Sequence, residues 1–187
     1  MMSVLSRPYR RIFFQSALYF GGGVGILGAL VVPLSVAIIM AVVAGGLFGA
    51  GVVLVNIRAA RRLEGLGYAV TSMNPRQDRE ILIGQSAAQA FDAALDAART
   101  IRAVRRVDTH AQSGRIDITI GMTAQSWGER VTVQISQRPG HQVAVFVSSR
   151  PRVPGVFSDS GKGVENIETF LKSLQERISG APASACA

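Results

Sequence analysis

Apolar and charged positions divide the chain close to residue 60. Between Arg11 and Arg58 lie 46 consecutive residues without a charge, and all 12 acidic residues fall at Glu64 or later. A bilayer core about 30 Å thick takes about 20 helical residues, so this stretch is too long for one span and suits two joined by a tight turn. Val31-Val32-Pro33-Leu34-Ser35 supplies the turn, because proline removes a backbone donor and pushes its predecessor out of helical geometry. The pattern predicts a two-span transmembrane helical hairpin over 12–56, with spans at about 12–31 and 35–56. Residues 1–11 form a short N-terminus and 57–77 a juxtamembrane linker.

Beyond the linker the period changes. Glu80-Ile81-Leu82-Ile83-Gly84 is strand-like, and Ser86 with Gln89 opens a capping box whose helix carries Phe91, Ala94, Leu95, Ala98 and Ile101 on one face. Four strands follow, over 104–109, 115–122, 130–137 and 142–149. Their alternation (Ile116, Ile118, Ile120; Val131, Val133, Ile135; Val143, Val145, Val147) requires a sheet with one buried face. A last helix, 162–179, places Val164, Ile167, Leu171, Leu174 and Ile178 at alternating spacings of three and four. The order β-α-β-β-β-β-α predicts a two-layer α+β sandwich over 78–180, built on an antiparallel meander, with a loose tail at 181–187. This order also resembles helix-grip folds, which hold apolar ligands between sheet and helix.

Charge adds topology. Arg7, Arg10 and Arg11 precede the first expected span, Arg58, Arg61 and Arg62 follow the second, and these six account for most of the net charge of +8. Positive-inside then places the protein in a bacterial inner membrane with both termini and the α+β domain in the cytoplasm. The remainder, 63–187, is nearly neutral, so nucleic acid is not an expected partner, whereas anionic membrane lipids are. Small residues line the spans: Gly21, Gly25 and Ala29 in the first, and Ala41, Gly45 and Gly49 in the second. Such stripes let helices approach closely, either on each other, in self-association, or against a larger membrane protein complex.

Catalytic chemistry is not legible. Ser160-Gly161-Lys162-Gly163 opens a helix as a phosphate loop does, but five residues separate Gly155 from Gly161 and glycine follows the lysine, so the Walker pattern fails. The simpler expectation is that Ser158, Asp159 or Ser160 caps the helix and Lys162 is solvated. His110 and His141 lack ligand spacing, Cys186 lies one residue from the end, and Asp92 and Asp96 belong on a solvated helix face. No metal and no cofactor are expected.

Ser126-Trp127-Gly128-Glu129 before a strand, Ser149-Arg150-Pro151, Asp159-Ser160-Gly161-Lys162 and Glu165-Asn166 resemble an uncharacterised family of small bacterial proteins. That family has an SWGE-like turn and an SxP…DxGK…EN segment in an α+β domain, often with a membrane segment. The resemblance covers about 80–176, with departures at Ser160 and Gly163, and implies no enzyme activity. It makes Trp127, Asp159, Lys162 and Asn166 a candidate binding surface. The expectation is a non-enzymatic inner-membrane protein, a membrane-anchored binding domain or accessory subunit of a complex. The alternatives are a lipid or apolar-ligand binding module, which requires a cavity between the sheet and the final helix, and a membrane-bound enzyme on an anionic substrate held at the Gly161-Lys162 helix start.

Overall fold

The computed structural model describes residues 7–68, 70, 75–123, 126–140, 142–153 and 160–180, with side chains from Tyr9 onward. The chain forms two compact units, Met1–Asn74 and Pro75–Ala187.

The first unit is a pair of helices, α1 (Arg7–Gly28) and α2 (Leu34–Gly65). The turn sits where Pro33 predicts it, but the helices differ from the expected spans. α1 stops at Gly28, and α2 continues past Asn56 through its arginines. Of the described helices only α2 is long and apolar enough to cross a membrane, with a mean hydropathy of 2.6 over its best window. The two-span transmembrane hairpin is therefore corrected. The reason lies in α1's composition: its first turns carry arginines, its uncharged part runs about 26 Å at 1.5 Å per residue, and five of its residues are glycine. Glycine contributes a backbone but no apolar side chain.

Those glycines act in packing. A Cβ on Gly45 would lie 2.6 Å from the Ala17 carbonyl oxygen, and one on Gly49 would lie 3.0 Å from that of Phe13. Gly21 sits against Ala41 and Gly45, and Gly25 against Ala41. Ala29 takes no part, since it lies exposed in the turn and Gly28 meets Ala37 instead. The antiparallel pairing brings Arg10 and Arg11 to the same end of the pair as Arg58, Arg61 and Arg62, all exposed. Two buried polar side chains are satisfied within their own helices, Ser16 by the Ile12 carbonyl at 2.7 Å and Asn56 by that of Val52 at 2.8 Å.

The second unit is an α+β sandwich. Its elements are β1 (Gln77–Ile83), α3 (Ala87–Ala98), β2 (Val104–His110), β3 (Arg115–Ile120), β4 (Glu129–Gln137), β5 (Val143–Pro151) and α4 (Lys162–Gly180). The sheet order is β1-β5-β4-β3-β2, antiparallel throughout. Strands β2 to β5 form the expected meander, and β1 pairs with the last strand, Gln77 opposite Ser149, so α3 crosses over the sheet. The inward residues of β3, β4 and β5 are buried against α3 and α4. α3 meets them through Ala90, Ala94, Ala97 and Ala98, all without exposure, and α4 through Ile167, Phe170 and Leu174. Ser86 caps α3 in a reciprocal box with Gln89.

The outer face is polar and ion-paired. Asp117 accepts two hydrogen bonds from Arg115, at 2.8 and 2.9 Å, and one from the Thr132 hydroxyl at 2.8 Å. Burial pushes its carboxyl up, but the Arg115 and Thr132 hydrogen bonds and the charges of Arg115 and His110 outweigh this, leaving it below its ordinary value.

Two outcomes follow. Gly45→Ala should weaken the helix pair by about 1–3 kcal/mol, the range of core overpacking, while Gly46→Ala, with open space around it, should change little; reversible unfolding in mild detergent measures both. A depressed carboxyl stabilises the folded state above its unfolded-state pKa, and that contribution is lost as pH falls through the folded value. Asp117→Asn should thus lower the melting temperature of the α+β unit at neutral pH and leave it unchanged once the pH lies below both values, as melts across an acid series would show.

Candidate functional site

An opening among the described residues lies beside α3. A cleft of about 540 Å³ separates its first two turns (Ala87, Ala88, Phe91, Asp92) from the short turn Ala111–Gly114 between β2 and β3. Ile135, nearly buried, contributes from β4. Its size is within the range of small-molecule sites, about 300–1,000 Å³. The alanines of α3 create it: Ala90 and Ala94 bring the helix close to the sheet, and Ala87 and Ala88 carry too little bulk to fill the space beside it. The facing turn is held in place. Ile135 donates its N–H to the Gly114 carbonyl at 2.8 Å, and Gln134 donates Nε2 to the Ser113 carbonyl at 2.7 Å. Gly114 has φ +63, and a Cβ there would lie 2.5 Å from the Ile135 carbonyl oxygen, so this position requires glycine. The cleft is apolar at Ala87, Ala88, Phe91, Ala111 and Ile135 and polar at Asp92, Gln112 and Ser113.

A second opening, of about 520 Å³, lies across the N-terminus of α3 between Gln85, Ser86 and the β4–β5 turn. It is polar, and its Arg138 is paired with Glu80 at 2.9 Å.

The motif residues converge elsewhere. Glu129 at the start of β4 is fully buried, and one of its carboxylate oxygens accepts hydrogen bonds from Ser149 Oγ, at 3.0 Å, and from Asn166 Nδ2. This joins β4, β5 and α4 at one end of the sandwich. Lys162 is buried beside them on α4, with its Nζ 3.5 Å from Glu165. The candidate surface of Trp127, Asp159, Lys162 and Asn166 is therefore not one surface. Lys162 and Asn166 are interior, Trp127 is exposed, and Asp159 lies outside the described residues. The expected solvation of Lys162 is corrected likewise, because the first turn of α4 faces into the sandwich. Ser158 and His141 also fall outside the described residues. His110 is exposed at the end of β2, 3.8 Å from Asp117. Asp92 and Asp96 are separated in role: Asp96 pairs with Arg99 and Arg177, and Asp92 borders the cleft.

Sequence reasoning missed Glu129 as a functional position and missed the cleft. The first had a signal, since Glu129 and Asn166 belong to the two recurring segments. A cavity was expected between the sheet and the final helix, but α4 packs there through Ile167, Phe170 and Leu174, and nothing in the residues pointed to an opening beside α3 instead.

No family model matches the chain, and no curated protein is similar to it. Solved structures similar to it include a protein from Thermus thermophilus, at 14% identity and a TM-score of 0.41, covering 58% of this chain and 100% of that one. Another is a START superfamily protein from Mycobacterium smegmatis, at 10% identity and a TM-score of 0.41, covering 56% and 97%. A third is the Zhui aromatase/cyclase of Streptomyces sp. R1128, at 9% identity and a TM-score of 0.35, covering 58% and 98%.

Removing the Glu129 carboxylate should leave the buried Ser149 and Asn166 donors unmatched. Glu129→Ala should cost about 1–3 kcal/mol of stability, the range for orphaned buried polar groups, and Glu129→Gln less, since an amide oxygen can still accept. Denaturant titration followed by far-UV circular dichroism measures the order of the two.

Proposed function

We propose that the chain is a non-enzymatic, membrane-attached binding protein whose α+β unit takes an apolar small molecule in the cleft beside α3. The cleft carries this reading: it is of suitable volume, its facing turn is hydrogen-bonded in place, and it combines five apolar side chains with the carboxylate of Asp92 at its border. An apolar molecule with one hydroxyl or amine end, such as a long-chain alcohol or amine, matches that lining, whose one charged side chain is the Asp92 carboxylate.

Attachment to a membrane is supported by α2. Its apolar window is only 11% buried, whereas the core helix of a water-soluble protein is mostly covered. Leu47, Val42, Ile39 and Leu54 are among its exposed side chains, and surface of that extent in water would be strongly unfavourable. Arg58, Arg61 and Arg62 in its last turns favour a cytoplasmic position for that end, and so for the α+β unit, at a bacterial inner membrane. Membrane lipids are the proposed partners of these arginines.

The test uses the full chain in lipid nanodiscs with a photoreactive, diazirine-bearing long-chain alcohol. Adducts should map to 87–91 and 111–114, fall when excess decanol competes, and vanish in Ala88→Trp, whose indole fills the cleft. Labelling confined to the apolar helices would show that the probe partitions into lipid without entering the α+β unit, and the binding reading would fail.

A further inference from the structure

Five large apolar side chains are exposed among the described residues of the α+β unit: Leu82, Met122, Trp127, Phe146 and Val153. Three of them share one end of the sandwich. Met122 follows β3, Trp127 precedes β4 and Val153 follows β5, and the sheet register places these strand ends together, with Ile120 opposite Glu129 and Glu129 opposite Pro151. Trp127 is 63% exposed, and the described residues beside it are hydrogen-bonded. Thr123 donates its N–H to the Ser126 carbonyl at 2.9 Å, Gly128 donates its N–H to Ser126 Oγ at 3.2 Å, and Arg152 donates its N–H to the Gly128 carbonyl at 3.0 Å. The indole thus stands exposed between two hydrogen-bonded neighbours.

Cations surround it. Arg105 lies over Gly121, Arg152 packs beside Gly128, and Arg130 is the second residue of β4. All three are exposed, and none has an ion-pair partner among the described residues. Elsewhere on the unit, exposed arginines such as Arg106, Arg115, Arg138 and Arg150 are matched by carboxylates. Unmatched arginines and exposed apolar side chains therefore coincide at one end.

The chain also enters the unit there, because β1 begins at Gln77 opposite Ser149, near the end of β5. Residues 66–76 join it to α2. These eleven residues reach at most about 40 Å from the end of α2.

We propose that this end of the sandwich docks on anionic phospholipid, with Trp127, Met122 and Val153 entering the headgroup region and Arg105, Arg130 and Arg152 meeting lipid phosphates. Tryptophan prefers the boundary between water and hydrocarbon, where its ring is apolar and its N–H is satisfied. Arginines beside it add attraction to a negatively charged leaflet that fades as salt rises. The proposal rests on the membrane attachment proposed above.

Trp127 is the chain's single tryptophan, so its fluorescence reports this end alone. The full chain is reconstituted into phosphatidylcholine vesicles with and without phosphatidylglycerol, using lipids brominated near the headgroup as quenchers, and flotation establishes whether it is membrane-bound. The expected result is flotation in both lipids, with blue-shifted and bromine-quenched emission that strengthens with phosphatidylglycerol. That quenching is lost at high salt and in the triple variant Arg105→Gln, Arg130→Gln, Arg152→Gln. The salt titration on the unaltered chain decides the matter if the triple variant misfolds. Flotation with unquenched emission overturns the docking and leaves membrane attachment standing. Quenching indifferent to phosphatidylglycerol and salt overturns the role of the arginines. A chain that does not float overturns both readings.

Discussion

One apolar sheet face must be covered by two helices, and the rest of the α+β unit follows from how they share it. The inward side chains of β3, β4 and β5 are large and branched, from Ile116 through Val147, and lose essentially all contact with water. α4 covers its share with large residues, Phe170 and Leu174 among them, as ordinary interior packing requires. α3 covers its share with alanines, which shortens the distance between helix and strands. A helix that approaches so closely cannot also fill the space beside its first turns. The cleft at Phe91 and Ile135 is thus a by-product of close packing elsewhere along the same helix.

The helical unit solves a different problem by related means. Gly21, Gly45 and Gly49 bring backbone against backbone, so contact comes from main-chain atoms while Leu, Ile and Val point outward. The two units therefore distribute their apolar side chains in opposite ways: one hides them and the other displays them.

Much of this was legible in the residues. Strict alternation located β3, β4 and β5 to within about two residues, and the Ser86-Gln89 capping box marked the start of α3, because each signal depends on local backbone periodicity. Pro33 located the helical turn for the same reason. What depends on distant contacts was not legible. Pairing of β1 with β5 joins residues at least sixty positions apart, and nothing in β1 specifies its neighbour. Glu129 and Lys162 read as solvated charges by type, yet both are buried where β4, β5 and α4 meet. The count of spans goes astray because an uncharged stretch is not the same as an apolar one, and α1 is rich in glycine.

The sheet has two outer strands, β1 and β2, and an unpaired strand invites another chain to add to it. Both are defended. β2 carries Arg105, Arg106 and Asp108, and its pairing with β3 is interrupted between Val104 and Arg106, which distorts the ribbon a newcomer would have to match. β1 carries Asp78, Arg79 and Glu80 in succession. When two copies meet edge to edge, these charged borders keep the encounter from becoming continuous intermolecular sheet.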